Sequence, residues 1–262
     1  MPRFDISRTI RIQAPVEIVY SKVVDFNTWT TWSPWLISDP DAQVTVSSRS
    51  NDVGSTYAWD GSVAGSGELE HLRLIPNNRI EDVLRFKKPF KSLADVQFDF
   101  KSVQGDTEVT WTMQSKLPWF LFFLVSMMKR FIGMDYDRGL SMLKDWIETG
   151  SIPSKVVQHG IEELQPFCML GISGKCEIAT IGASMEAAFQ EANREFDKLG
   201  ISRQGQAISV YTKFEIAAGI FHYISGYIVP NDTRIGSHTN LKMWKMPGGR
   251  AFRVEHIGSY RH

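Results

Sequence analysis

Apolar and polar positions alternate from the first residues onward. Phe4, Ile6, Ile10 and Ile12 share one parity, which predicts a strand with one apolar face over FDISRTIRIQ. Val16, Val19, Val23 and Phe26 then recur at steps of three and four, the spacing of an amphipathic helix opened by Pro15. Next comes DFNTWTTWSPWL, with Trp29, Trp32 and Trp35 three apart and Pro34 between the last two. Steps of three drift around an α-helix, and Pro34 stops a long one. The segment therefore reads as short helical turns, with Trp32 facing the core and Trp29 and Trp35 at a rim.

From about 42 to 115 the alternation of two returns, interrupted by turn residues. Val44 and Val46, Tyr57 and Trp59, Leu72 and Leu74, Ile80, Leu84 and Phe86, Ala94 to Phe100, and Val109 to Met113 mark six strands. The turns fall at SNDVG, Asp60-Gly61, PNN and QGD. Successive strands on short turns form an antiparallel meander. Residues 118–149 read as helical, opened by Pro118 and broken at Gly133, with a stripe of Tyr136, Leu140, Leu143 and Ile147. The fold class is therefore α+β: a curved antiparallel sheet of about seven strands around a long helix at the end of the first domain, 1–150.

The stretch GSIPSKVVQHG reads as a linker over 151–160, and a second α+β domain follows over 161–262. A strand over 165–176 precedes a helix with the stripe Met185, Ala188, Phe189, Ala192, Phe196 and Leu199. Ser184 is its expected N-cap and Gly200 its C-terminal cap. Strands follow around 206–212 and 219–229, then a hairpin LKMWKM-PGG-RAFRVEHI.

The charges balance, 29 against 29, so there is no basic footprint for nucleic acid. Two cysteines in 262 residues suggest a reducing compartment rather than a disulfide framework. The start lacks the apolar core of a signal peptide, and the run LPWFLFFLVSMM is too short to span a bilayer. These features read as a soluble cytoplasmic protein without stable membrane insertion. The six histidines show no zinc spacing, and no nucleotide or cofactor motif occurs, so no metal or cofactor is expected.

The first 150 residues resemble the SRPBCC superfamily, the START-related and polyketide cyclase-like helix-grip domains. The matching stretches are APVEIVYSKVVDFNTWTTWSPW and IGMDYDRGLSMLKDWIE. The resemblance implies a cavity between sheet and closing helix. It implies no single activity, because the superfamily includes lipid carriers, cyclases, hydrolases and co-chaperones. Residues 165–230 and PGGRAFRVEHIGSY resemble the GyrI-like, or AraC-type effector-binding, domain. That resemblance implies two strand–helix–strand–strand repeats around a ligand groove, of which this sequence holds the first and only the opening of the second.

Cavity-facing parity selects Tyr57, Trp59, Phe98, Phe100, Trp111 and Met113, either as pocket wall or as packed core. With Trp29 and Trp35 they are the candidate ligand-binding residues. Asp82, between Ile80 and Leu84, and Glu70, in parity with Leu72 and Leu74, are the candidate catalytic carboxylates. The alternative is a bulge that turns them to solvent. His222 and Tyr223 are candidates for the second domain's groove, and Glu215 is an acidic candidate there. The run WFLFFLVSMM fits a pocket wall or core. The expected function is binding of a small hydrophobic or aromatic molecule. The alternatives are a cyclase, dehydratase or hydrolase of a small aromatic compound, and a partner-binding, co-chaperone-like protein. A homodimer remains open.

Overall fold

The computed structural model describes residues 3–116, 125–215, 218–236 and 238–258. The chain divides into two compact units, one running to Val157 and rejoined by the chain from Glu255, the other Gln158–Val254.

The first unit opens with β1 (Arg3–Ile12), then α1 (Val16–Val24), a 3₁₀ turn (Phe26–Thr28) and the short helices α2 (Trp29–Trp32) and α3 (Pro34–Ser38). The meander follows: β2 (Gln43–Val46), β3 (Thr56–Asp60), β4 (Ser66–Ile75), β5 (Arg79–Lys88), β6 (Ser92–Val103) and β7 (Asp106–Lys116). All seven strands lie in one antiparallel sheet, in the order β1-β7-β6-β5-β4-β3-β2. β1 pairs with β7, so the first strand closes the meander at its far end. The β6–β7 turn has Gln104 at φ 56° and Gly105 at φ 90°, the two left-handed residues a tight two-residue hairpin needs.

The closing helix α4 (Val125–Thr149) runs without interruption through Gly133. Gly133 is a packing glycine rather than a breaker. A Cβ there would lie 2.2 Å from Arg8 Nη2 and 3.1 Å from Ile6 Cδ1, so its absence lets α4 approach β1. Arg8 donates to Asp137 at 2.8 Å across that approach, and Lys144 donates to the Arg11 carbonyl at 2.8 Å. Of the apolar run before this helix, residues 117–124 lie outside the described residues. Val125 and Met128 pack against the core.

Between sheet and helix sits one core. Its largest fully buried side chains include Trp32, Trp111, Tyr136, Phe26 and Phe98. Phe98 stacks on Trp111 at 4.9 Å, and Trp111 on Tyr136 at 3.9 Å, so three rings run from β6 to α4.

The second unit carries β9 (Phe167–Glu177), α5 (Ile181–Leu199), β10 (Gln204–Glu215), β11 (Ile220–Val229) and β12 (Lys242–Met246). Its sheet order is β10-β11-β9-β12. Cys168, Leu170, Ala192, Phe196, Val229 and Leu241 form its core. Gly200, at φ 62°, ends α5 as expected. Helix α5 begins three residues before Ser184, whose hydroxyl meets Tyr223 Oη at 2.6 Å instead of capping.

Two further expectations change. The stretch read as a linker holds the start of a strand, β8 (Ser154–Leu164), which pairs with β13 (Gly249–Gly258) as a two-stranded ribbon. The predicted hairpin at PGG does not form, because β12 pairs with β9 while β13 pairs with β8. Gly248 passes so close to Pro166 and the Leu164 carbonyl that a Cβ would lie within 2.9 Å of both. That corner splits the two strands instead of folding them together.

Candidate functional site

A cavity of about 200 Å³ lies between the concave face of the first unit's sheet and α4. Its buried part is walled by Trp29 from α2, Ser33 after it, Tyr57 from β3, Leu69 from β4, Leu84 from β5, Val96 from β6, Trp111 and Met113 from β7, and Tyr136 from α4. Its half-exposed part is walled by Trp35 and Leu36 from α3, Trp59, Ala64, Phe86 and Ile132. None of these side chains carries a charge at neutral pH. The site accepts an uncharged apolar body and penalises an ion left without a partner.

Local structure fixes the wall. Trp29 is almost fully buried, and its indole N–H donates to the Val23 carbonyl at 2.8 Å. The Trp35 indole donates to Asp135 Oδ2 at 3.2 Å, tying α3 to α4. Burial pushes the Asp135 carboxyl up, against the Arg138 charge and the Trp35 hydrogen bond, which lower it. The Trp59 ring lies over Gly67, where a Cβ would be 2.4 Å from the indole, and its N–H donates to the Ala64 carbonyl at 3.2 Å. Asp39 accepts from the Val63 and Ala64 amides at 2.7 and 2.9 Å and so shapes the turn beside Trp59. The Ala64 and Val63 amides hold the Asp39 carboxyl below its usual range. Burial pushes the Tyr57 phenol up to about 12, with Ser33 close enough to oppose the shift. The Tyr57 hydroxyl has no well-formed hydrogen bond among the described residues.

Six of the eight expected cavity residues line it: Trp29, Trp35, Tyr57, Trp59, Trp111 and Met113. Trp35 sits at the half-exposed part as expected, but Trp29 belongs to the inner wall rather than the rim. Phe98 and Phe100 do not line it. Phe98 is covered by Trp111 stacking on it, and Phe100 packs edge-on against Tyr20 of α1. Trp32 is fully buried, as expected.

The two carboxylates separate. Glu70 faces outward and pairs with Arg85 at 2.6 Å, which corrects its reading as an inward group. The cause is a bulge in β4: His71 pairs with Asp82 while Arg73 pairs with Glu81, leaving Leu72 as the extra residue. Leu72 is exposed, and Leu69 and His71 before the bulge and Leu74 after it turn toward the core. The bulge thus turns Leu72, not Asp82, to solvent.

Asp82 is buried beside His71, a residue that alternation alone did not mark. His71 Nδ1 and Asp82 Oδ1 are 2.6 Å apart, and His71 Nε2 donates to the Val24 carbonyl at 2.9 Å. The Phe26 ring stacks on the imidazole at 3.9 Å. Burial pushes the Asp82 carboxyl up, against the hydrogen bond and charge of His71. Neither residue lines the cavity, although Leu69, Leu84 and Val96, which flank them on the sheet, do. As it stands, Asp82 is not placed to touch a molecule in the cavity.

In the second unit, strand alternation puts His222 and Tyr223 on opposite faces of β11. Tyr223 is buried against Ser184 of α5, while His222 is half-buried and 2.9 Å from Glu215. One groove cannot hold both side chains. Among the described residues no three His, Cys, Asp or Glu side chains cluster to hold a metal ion. Among them no helix is long and apolar enough to cross a membrane.

Residues 3–148 match the family model described as polyketide cyclase / dehydrase and lipid transport. No curated protein matches the chain. Solved structures similar to it include protein CV1439 from Chromobacterium violaceum, at 16% identity, 55% of this chain, 96% of that chain and TM-score 0.43. Another is DynU16, from the dynemicin biosynthetic locus, at 16% identity, 63% of this chain, 55% of that chain and TM-score 0.43. The Aha1 dimer from Colwellia psychrerythraea matches at 19% identity, 56% of this chain, 97% of that chain and TM-score 0.42.

Proposed function

We propose, for a chain that belongs to the polyketide cyclase/dehydrase and lipid transport family over residues 3–148, that its first unit binds one small, uncharged, largely planar apolar molecule. The observation that carries this reading is the cavity of about 200 Å³ with no charged side chain in its wall. An apolar cavity of about 150 Å³ holds one benzene ring, so this one suits one or two fused rings. Trp29, Trp35, Tyr57, Trp59, Trp111 and Met113 are the proposed ligand contacts. Their flat faces favour stacked or edge-on contact with an aromatic ligand.

Binding is favoured over catalysis because neither candidate carboxylate reaches the cavity wall. The second unit is read as a GyrI-like sensing module. The order β9, α5, β10, β11 supplies one strand–helix–strand–strand repeat, and this supports the reading.

Calorimetric titration with 1-naphthol and with the 1-naphthoate anion tests the first unit. Saturable binding of 1-naphthol is expected. The anion should bind at least about tenfold more weakly, because its carboxylate would be buried with no cationic group in the wall to pair with it. Equal affinities, or no saturable binding of 1-naphthol, would refute the proposal.

A further inference from the structure

We infer that Asp82 and His71 share one proton as a neutral acid–imidazole pair, Asp82 Oδ1–H donating to His71 Nδ1, and that this pair positions Trp29 in the inner wall of the cavity. The positioning half rests on the ligand-binding reading above; the protonation half stands without it.

The proton count follows from the partners. The Val24 carbonyl can only accept, so His71 Nε2 carries a hydrogen. Nδ1 then either donates to an ionised carboxylate or accepts from a carboxylic acid. Asp82 Oδ2 decides between them. It is buried and has no hydrogen-bond partner among the described residues. An ionised Asp82 would leave charge on that oxygen with nothing to solvate it, whereas in a neutral acid it is a plain carbonyl oxygen. The stack on Phe26 would favour an imidazolium, but the gain from a ring face is smaller than the cost of an unsolvated buried carboxylate. Tyr20 of α1 and Tyr136 of α4 feel the charge of Asp82, and both are phenols rather than cations. Desolvation of the Asp82 carboxyl works in the same direction.

The positioning follows from the end of α1. The last carbonyls of a helix have no partner within it. Here Thr28 Oγ1 donates to the Lys22 carbonyl, the Trp29 indole to Val23 at 2.8 Å, and His71 Nε2 to Val24 at 2.9 Å. Trp29 and His71 therefore hold neighbouring carbonyls. Asp82 fixes the imidazole from its other side, and Phe26, stacked on that imidazole, also meets Trp29 edge-on at 5.4 Å.

Nitrogen-15 NMR of the histidine side chains reads the proton directly. His71 should show the neutral Nε2–H tautomer over a narrow range around neutral pH, about pH 6.5 to about pH 7.5. An imidazolium signature for His71 within that range overturns the shared neutral proton.

The positioning is read by fluorine NMR of 5-fluorotryptophan protein, with Trp29 assigned through W29F, together with 1-naphthol titration. Asp82→Asn can still donate to Nδ1, so the Trp29 resonance should stay put and affinity should hold within about twofold. Asp82→Leu cannot donate. There the resonance should move and affinity fall about tenfold, the worth of one buried hydrogen bond. His71→Phe keeps the stack on Phe26 and loses the bond to Val24, and should behave like Asp82→Leu if that variant does not fold. An unmoved Trp29 resonance in folded Asp82→Leu, or in His71→Phe where Asp82→Leu does not fold, overturns the positioning. Absence of 1-naphthol binding by the unaltered protein refutes the ligand reading and leaves both NMR measurements decisive for the pair.

Discussion

Val96→Phe separates a real void from a tightly packed core, because filling a void removes binding at little cost in stability. Val96 is buried on β6 and lines the cavity. Phenylalanine suits an inward strand position, so the backbone has no reason to move. Net of the two methyls it replaces, the ring takes up about 50 Å³ of the void, worth about 1 kcal/mol at about 24 cal/mol per Å³. Imperfect fit in a rigid aromatic wall costs about 1–3 kcal/mol. Stability should therefore fall by no more than about 2 kcal/mol, a melting loss within about 8 °C for a domain of this size. Over the same substitution, 1-naphthol binding should be lost, because its ring and the new phenyl compete for one space. Thermal melts followed by near-ultraviolet circular dichroism give the first quantity and calorimetry the second. A loss of more than about 3 kcal/mol would mean that the space is already filled by packed side chains. Unchanged 1-naphthol affinity would mean that the ligand sits elsewhere.

Three further substitutions probe the frame of the site. Tyr57→Phe removes a buried hydroxyl that has no well-formed hydrogen bond, so chemical denaturation should show stability unchanged or raised by up to about 1 kcal/mol. Gly139→Ala gains about 1 kcal/mol of helix propensity but sets a Cβ 3.0 Å from Trp111 and 3.1 Å from Pro34. Its melt should stay close to that of the unaltered chain, while Gly139→Leu should lose more than about 2 kcal/mol by overpacking. Asp39 has its carboxyl pKa lowered by the Ala64 and Val63 amides. Its contribution is present above the unfolded value of about 3.9 and is lost as pH falls through the lower folded value. Asp39→Asn should therefore flatten the acid limb of a melting-temperature profile, and an unchanged limb would refute that assignment.

The strands were legible because their alternation is intact over most of their length. The parity of β6 and β7 reads straight from Ala94–Phe100 and Val109–Met113, and both strands pair without slips over those residues. The carboxylates were not legible for one local reason. Counting back from the turn at PNN puts Ile75 opposite Arg79 and Arg73 opposite Glu81, and an unbroken ladder would next set Leu72 opposite Asp82. The bulge replaces Leu72 with His71, sends Glu70 outward and joins the histidine to the aspartate. Nothing in the side chains of GELEHLRLI announces an extra residue. His71, in step with Leu69 on the core face, is a signal only once the register is known. Phe98 and Phe100 failed for a different reason. Parity selects the face of a sheet, but which residues on that face border open space depends on what lies over them, here the ring of Trp111 from the neighbouring strand over Phe98 and Tyr20 of α1 against Phe100.

That dependence also explains why space remains at all. The Phe98–Trp111–Tyr136 stack spans from sheet to helix, and Trp29 meets Trp32, Tyr57, Phe98 and Trp111 within 6.2 Å. Flat rings held stacked and edge to face keep their separation, where branched aliphatic chains would rotate and settle into the gap. Gly139 lets α4 rest on Trp111 and Pro34, and the Trp35–Asp135 bond ties α3 to the same helix. The wall is thus braced on two sides and cannot relax inward without breaking those contacts. A void kept open in this way forfeits the dispersion contacts a filled core would have, and selection for stability alone would close it. The cost becomes intelligible when a molecule occupies the space and restores those contacts, which is why the cavity, rather than either carboxylate, carries the functional reading.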